Sequence, residues 1–493
     1  MLKQLENRSI PWFGIGITSI FVISAALRFW GLGRFNTLVF DEVYYAKFAN
    51  NYLTRTPFFN AHPPLSQYII AIGIWLGSHL PFGNDNVNGL AGSLRSTFSY
   101  RWLNALTGSF IPLVVAGVAY QLSQRRSYAF IAALFVAADG LFLVESRYAL
   151  NNIYLVILGL LGQWCFLLAL SHQGRKRWIW LGIAGFFFGA SACIKWNGLW
   201  FLLGAYMVWA AAWVMRWARL GFKSQESEDP TFSLQNLTQL NFLHILLNLG
   251  FIPILVYSLL WIPHLQMNPK PGFWDMQNEI LHYHERIGDG PKVHPYCSKW
   301  YTWPLMLRPI AYFYETARNT SETAPALPPL PAGAVKVIYD VHAMGNPVLY
   351  LLSAAAILLL LLLLAKRFLK RSGWKSPPTP STWIALYLVL NYAANLLPWV
   401  KVTRCTFLYH YMGASVFAAL ALAWIVDHWL HSVKPRLRAA GVTVIFLILL
   451  AFVFWMPVYL GLPLSADGYK IRMLRIYISG LPPWLQQWLP NWI

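Results

Sequence analysis

The chain has 493 residues, of which 57% are hydrophobic, 16% aromatic and only 11% charged, with a formal net charge of +20. That composition excludes a soluble enzyme with a single anchor, because most of the chain is made to dissolve in hydrocarbon. The positive charge calls for no nucleic acid: basic loops held on one side of a membrane, facing an anionic lipid surface, account for most of it.

A helix needs about 20 apolar residues to cross a hydrocarbon core of roughly 30 Å. Apolar windows predict an all-α polytopic membrane protein with about eleven transmembrane helices. They lie near 12–32, 101–121, 128–145, 151–170, 178–194, 197–215, 242–262, 346–365, 382–399, 406–428 and 439–460. The clearest is the uncharged stretch 343–365 with its leucine run Leu358 to Leu364. The stretch 65–80 is apolar but short and reads as an interfacial or re-entrant helix. The first apolar segment lacks a small-residue cleavage site, so no cleavable signal peptide is expected.

With the N-terminus inside, the short cytoplasmic pieces hold eighteen Lys and Arg against four acids, Glu6, Glu226, Glu228 and Asp229. Every alternate connection obeys this positive-inside pattern, and an odd span number puts the C-terminus outside. Three parts follow. Residues 1–262 hold seven spans and the outer loop 33–100. Residues 263–345 form an outer segment rich in Trp, Tyr, His and Pro, including the proline-rich stretch 324–331. Residues 346–493 hold four spans and an outer tail whose Trp484, Trp488 and Trp492 read as interfacial. Cys165 and Cys193 fall inside spans. Cys297 and Cys405 fall outside, and their spacing favours free thiols over a disulfide without excluding one.

Chemistry-bearing residues gather on the outer side. Phe40-Asp41-Glu42-Val43-Tyr44-Tyr45 follows the first span. Adjacent carboxylates on an extended segment diverge, so one can take a proton from a hydroxyl while the other holds a basic side chain or a peptide amide. A solvated pair of acids is the bland alternative. His62-Pro63-Pro64-Leu65 is a helix-start signal, which suffices structurally, although His62 can face the same pocket as Asp41. Arg101, Arg147, Lys195 and Arg404 stand at outer span ends. Each alone reads as a snorkelling cation; together they suggest a site for an anion such as a lipid-borne phosphate. Asp139 and Glu145 lie in the same region and are expected to pair with Arg147 or Arg101. His410, within Phe407-Leu408-Tyr409-His410-Tyr411, reads either as a packing residue or as a phosphate contact near Arg404. His282, His284, His294 and Cys297 fit no common zinc spacing, so an aromatic-rich cap over the site is preferred to a metal centre.

Taken together and in order, these motifs resemble the protein O-mannosyltransferase family of polyprenyl-phosphate-sugar-dependent enzymes. The matching pieces are Asp41-Glu42, His62-Pro63-Pro64-Leu65, Arg101, Glu145-Ser146-Arg147, Lys195-Trp196-Asn197-Gly198, Trp303 to Pro309 and Tyr409-His410-Tyr411. The resemblance implies a C-type glycosyltransferase architecture with outer-side loops and amphipathic helices. It also implies inverting transfer of mannose from a polyprenyl-phosphate carrier to a Ser or Thr hydroxyl of a protein, with no cofactor; a divalent ion on the acids is the less favoured alternative. Carried over, Asp41 is the base and Glu42 organises the site. The candidates for the donor phosphate, or for ordering the loop, are Arg101, Arg147, Lys195, Arg404 and His410. Two departures stand out. Eukaryotic members carry a large β-rich insertion where this chain has only residues 263–345, which implies a bacterial-type member in an inner membrane. And Asn151-Asn152 stand where the family tends to have an aspartate, whose role then falls to Asp139 or Glu145. Transfer to a lipid or glycan, as by aminoarabinose transferases, is the alternative within the fold. A lipid or anion transporter is disfavoured, because the charges gather on one face rather than at mid-membrane.

Overall fold

The computed structural model describes residues 11–80, 87–90, 92–217, 233–317, 327–328, 330, 333, 336–369, 379–473 and 492. In chain order the first half holds α1 (Trp12–Phe29), α2 (Glu42–Thr54), α3 (Leu65–Gly77), β1 (Val87–Leu90), β2 (Ser93–Ser96), α4 (Thr97–Ser123), α5 (Arg126–Ala137), α6 (Gly140–Glu145), α7 (Asn152–Leu170), α8 (Gly174–Ala192) and α9 (Leu199–Trp217). The second half begins with α10 (Ser233–Thr238) and α11 (Phe242–His244), which runs through a π segment, Ile245–Phe251, into α12 (Ile252–Met267). Next come α13 (Phe273–Arg286), β3 (Ile310–Ala317), β4 (Val337–Ala343), α14 (Pro347–Leu369), α15 (Pro380–Leu396), α16 (Met412–Leu430), α17 (Pro435–Leu460) and α18 (Ala466–Arg472).

All eleven apolar windows fall on helix, but the count of eleven crossings is not confirmed. Among the described residues, nine helical stretches are long and apolar enough to cross a membrane. Two windows fall short for local reasons. The window 128–145 is broken because Asp139 caps α6, its Oδ1 accepting the Leu141 N–H at 2.8 Å, and a capping residue stands outside helical geometry. The helix α8 is 19 residues long but opens on Arg175, Lys176 and Arg177, which dilute its hydropathy. The stretch expected to be short, 65–80, is α3, a 13-residue apolar helix started by Pro63-Pro64 and packed between α2 and α4.

α7 and α16 run through the middle, 78% buried along their most apolar windows, whereas α1, α17 and the α11–α12 helix are 17%, 22% and 28% buried and face outward. A helix apolar all round and buried belongs in the interior of a bundle; one whose apolar face finds no protein belongs against lipid. Inside the bundle, Gln163 donates to the Phe201 carbonyl at 2.6 Å and accepts from the Tyr387 hydroxyl at 2.7 Å.

Two small antiparallel sheets depart from the all-helical expectation. β1 and β2 make a hairpin before α4, and β3 pairs with β4. All seven residues of β4 are buried, against α6 and α17. The ladder slips between Ala311 and Phe313, leaving Tyr312 in a bulge, a device that re-aims a side chain.

Cys297 and Cys405 are joined in a disulfide, against the expectation of free thiols. Spacing along the chain says little here, because the two strands are brought together by backbone pairing. Cys405 N–H donates to the Gly288 carbonyl and Ser298 N–H to the Thr406 carbonyl, both at 2.8 Å. Trp484 and Trp488 lie outside the described residues. Trp492 is buried rather than interfacial, its indole N–H donating to the Met306 carbonyl at 2.9 Å. Of the proline-rich stretch, only 327, 328 and 330 are described.

Candidate active site

The chain leaves α1 and reverses just before α2, with Phe40 in the left-handed region at φ 51°. A bulky residue there is strained, and the stacking of its ring on Tyr312, 4.2 Å between centroids, helps hold it. Asp41 and Glu42 therefore open a helix rather than sit on an extended strand. They still diverge, because consecutive helical residues point about 100° apart.

Glu42 turns inward and is completely buried. Its Oε1 accepts from Arg101 Nε and from the Ala149 N–H, each at 2.8 Å; its Oε2 accepts from Arg101 Nη2 at 2.7 Å and the Val39 N–H at 2.8 Å. Arg101 spends its remaining donors on the carbonyls of Leu32, Phe35 and Thr37, at 3.0, 3.0 and 2.7 Å. A bidentate pair with every position taken can persist out of water. Neither residue is left free for substrate, so Arg101 takes the loop-ordering role and Glu42 is structural support, not a group facing the reacting atoms.

Asp41 lines a cavity of about 340 Å³ with His62, Lys195, Arg404, Tyr409 and His410. Five of the residues singled out in the sequence thus converge, from α2, the turn before α3, the α8–α9 connection and the segment before α16. Burial pushes the Asp41 carboxyl up to about 6, against the opposing pull of Lys195. No protein hydrogen bond holds this carboxylate among the described residues. A carboxyl near 6, unpartnered and facing a cavity, is suited to accept a proton from a hydroxyl.

Lys195 donates to Asn152 Oδ1 at 3.0 Å, and Asn152 Nδ2 donates to Glu145 Oε2 at 3.1 Å. The other Glu145 oxygen accepts from the Tyr312 hydroxyl delivered by the β-bulge. Burial pulls the Lys195 ammonium below its ordinary value, and Asp41 and Glu145 oppose that pull. Glu145 thus braces Lys195 through Asn152. Arg404 donates to the Cys405 carbonyl at 3.0 Å while its side chain lines the cavity. His410 is tied through Nδ1 to the Phe407 backbone and packed between Trp399 and Trp303. A smaller cavity of about 190 Å³ shares His62, Lys195, Arg404 and His410 and runs past Trp196 and Trp399.

Two expected site residues lie elsewhere. Arg147 donates to the carbonyls of Leu27, Arg28, Trp30 and Gly31 at 2.7–3.1 Å, capping the end of α1, where helix carbonyls lack internal partners. Asp139 caps α6 and feels Arg28. The expected pairing of Asp139 and Glu145 with Arg147 or Arg101 does not form: Arg147 donates to α1 carbonyls, Arg101 binds Glu42 and loop carbonyls, Asp139 accepts a backbone amide, and Glu145 accepts from Tyr312 and Asn152. Sequence reasoning passed over Tyr312 and Asn152 as a bridge; His284, read there as part of an aromatic-rich cap over the site, lines both cavities. The alternation of Ile310, Tyr312 and Tyr314 was the available signal for the strand. Among the described residues no three His, Cys, Asp or Glu are grouped to hold a metal ion.

A family profile described as dolichyl-phosphate-mannose-protein mannosyltransferase matches residues 18–267, and one for the C-terminal four TMM region of protein-O-mannosyltransferase matches 269–476. The chain belongs to the protein O-mannosyltransferase family. This family member is 25% identical to the polyprenol-phosphate-mannose–protein mannosyltransferase of Mycolicibacterium smegmatis, across 97% of this chain and 93% of the relative. The relative of that name from Corynebacterium glutamicum is 24% identical, across 87% and 81%. The fold is that of the Saccharomyces cerevisiae Pmt1–Pmt2 complex bound to the sugar donor, with TM-score 0.76, 14% identity and coverage of 100% and 94%. ArnT from Cupriavidus metallidurans shares it more distantly, with TM-score 0.51, 13% identity and coverage of 94% and 69%. The protein is thus a polytopic membrane glycosyltransferase.

Proposed function

We propose that this chain moves mannose, with inversion, from a polyprenyl-phosphate carrier to Ser or Thr hydroxyls of proteins, on the outer face of the plasma (inner) membrane. The N-terminus then lies in the cytoplasm and the C-terminus outside. In the transfer the acceptor oxygen forms a bond to the anomeric carbon as the bond from that carbon to the phosphate oxygen breaks. The hydroxyl proton passes to Asp41, and polyprenyl phosphate departs. A phosphate leaving group needs cations rather than a proton, and Lys195 and Arg404 supply them, with His410 beside them. The observation that carries this reading is the placement of one unpartnered carboxylate, Asp41, across a single cavity from these cations, in a chain of the mannosyltransferase family.

The test is a transfer assay with purified protein in detergent, polyprenyl-phosphate-linked radiolabelled mannose and a Ser/Thr-rich peptide. Label on the peptide with wild type, absent with Asp41→Asn, is the expected result. Label captured only when membrane lipids or glycans replace the peptide would move the acceptor to that class.

A further inference from the structure

The helices α14, α15 and α16 enclose a separate cavity of about 440 Å³, which shares no residue with the Asp41 cavity. Along the α16 axis, the step from His410 to Trp424 and Trp429 in this second cavity is roughly 20–30 Å, which reaches the opposite face of the hydrocarbon core.

Its wall has two chemistries. Leu359, Leu363 and Arg367 line it at helical spacing, so an apolar track of roughly 12 Å along α14 ends on a guanidinium. Leu359 and Leu363 are exposed, which opens the track to lipid. Around its polar end stand Ser381, at the start of α15, and His428 and two indoles near the end of α16. Tryptophan beside cations is the composition of a membrane interface. No acid lines the cavity among the described residues, and Asp427, next to His428 in sequence, is paired with Arg125 at 3.0 Å. The sequence around the polar end is basic as well. Residues 366–381 carry five Lys and Arg and 429–438 carry three, with no Asp or Glu in either.

These features choose between occupants. A hydrocarbon tail alone makes no use of the cation, and a free inorganic anion makes no use of the leucines. A zwitterionic head brings a cation that meets no acid. An anionic head on an alkyl tail matches both ends, and juxtamembrane basic residues favour such lipids by about 1 kcal/mol each. We infer that this cavity binds an anionic phospholipid of the leaflet opposite the Asp41 cavity, its phosphate against Arg367 and one acyl chain along Leu363 and Leu359. Held there, the lipid joins α14 to α15 and α16 and stabilises that part of the bundle by mass action.

The test is equilibrium binding to the delipidated full chain in detergent, with phosphatidylglycerol, phosphatidylcholine of the same acyl chains and inorganic phosphate as probes. Wild type should bind phosphatidylglycerol about tenfold more tightly than phosphatidylcholine, and inorganic phosphate should displace neither. Equal affinity for the two lipids overturns the inference, and this comparison needs no variant to fold. Displacement by inorganic phosphate overturns it too, because the site would then take an anion without its tail. Arg367→Gln should erase the preference, whereas Lys434→Gln, on a cation of the same face that does not line the cavity, should keep it. Equal effects of the two changes would show a diffuse field in place of a site. Ser381→Trp, at an exposed position, fills the cavity and should weaken both lipids about tenfold; unchanged binding there would place the lipid elsewhere.

Discussion

On one side of a single peptide bond, Glu42 has its two side-chain oxygens filled by four donors and no contact with solvent; on the other, the Asp41 carboxylate faces a cavity with no hydrogen bond among the described residues. The same functional group does opposite work according to what surrounds it. The saturated pair Glu42–Arg101 fixes the loop between α1 and α2, and that rigidity is what allows the unsaturated Asp41 to be held in place without bonds of its own. Preorganisation lies in one carboxylate and, in the proposed reaction, proton transfer in the other.

The sharpest way to separate them is substitution by the matching amide. Asp41→Asn should lower turnover by about 10³-fold or more, the range of a lost general base, with an unshifted melting temperature. An active Asp41→Asn would remove Asp41 from the reaction. In wild type, kcat/KM should rise as pH climbs through about 6 and level off above it, since only the ionised carboxyl accepts a proton and burial has raised its value to about 6. A profile flat from pH 5 to 7 would contradict that assignment.

Glu42→Gln should act on stability first. It leaves Arg101 charged and buried beside a neutral amide, a change that costs about 3–5 kcal/mol and shows as a lower melting temperature with loss of folded yield. If Asp41→Asn proved the destabilising change and Glu42→Gln the silent one, the contrast would be inverted. Arg404→Ala should weaken binding of polyprenyl phosphate about tenfold through loss of one charge-assisted contact, with acceptor KM unchanged. Smallest, Cys297→Ser should weaken donor binding less than Arg404→Ala does, because the backbone bonds at Gly288 and Ser298 still align the loop that carries Arg404. A larger loss from the cysteine change would mean that the disulfide, not those bonds, positions the cation.

Much of this was legible in the sequence because membrane spans and charged residues beside them carry strong signals. The apolar windows fell on helices, and Asp41, His62, Lys195, Arg404 and His410 were chosen from their residue types and their place outside the spans. What the sequence hid was how arginine is used. Arg101, Arg147 and Arg404 look alike at span ends, yet Arg147 caps α1 carbonyls, Arg101 binds Glu42 and loop carbonyls, and only Arg404 reaches the cavity. Backbone acceptors leave no trace in residue identity. The β3–β4 pair was hidden for a different reason: two short strands in an outer segment described only by its Trp, Tyr, His and Pro content carry a weak alternation signal. Asn152 looked like a missing carboxylate and is in fact the bridge between Lys195 and Glu145.

The cavity has an order of assembly written into it. Its walls come from the turn at Asp41, the α8–α9 connection at Lys195, α13 at His284 and the segment carrying Arg404 and His410, which is joined to the residues after α13 by backbone pairing and by the Cys297–Cys405 disulfide. During synthesis Asp41 and Lys195 are made first, and Arg404 and His410 last. A growing chain that has threaded only its first seven apolar segments into the membrane therefore owns Asp41 and Lys195 but neither Arg404 nor the segment that caps the cavity. The cavity is complete only once that late segment has folded against the early ones.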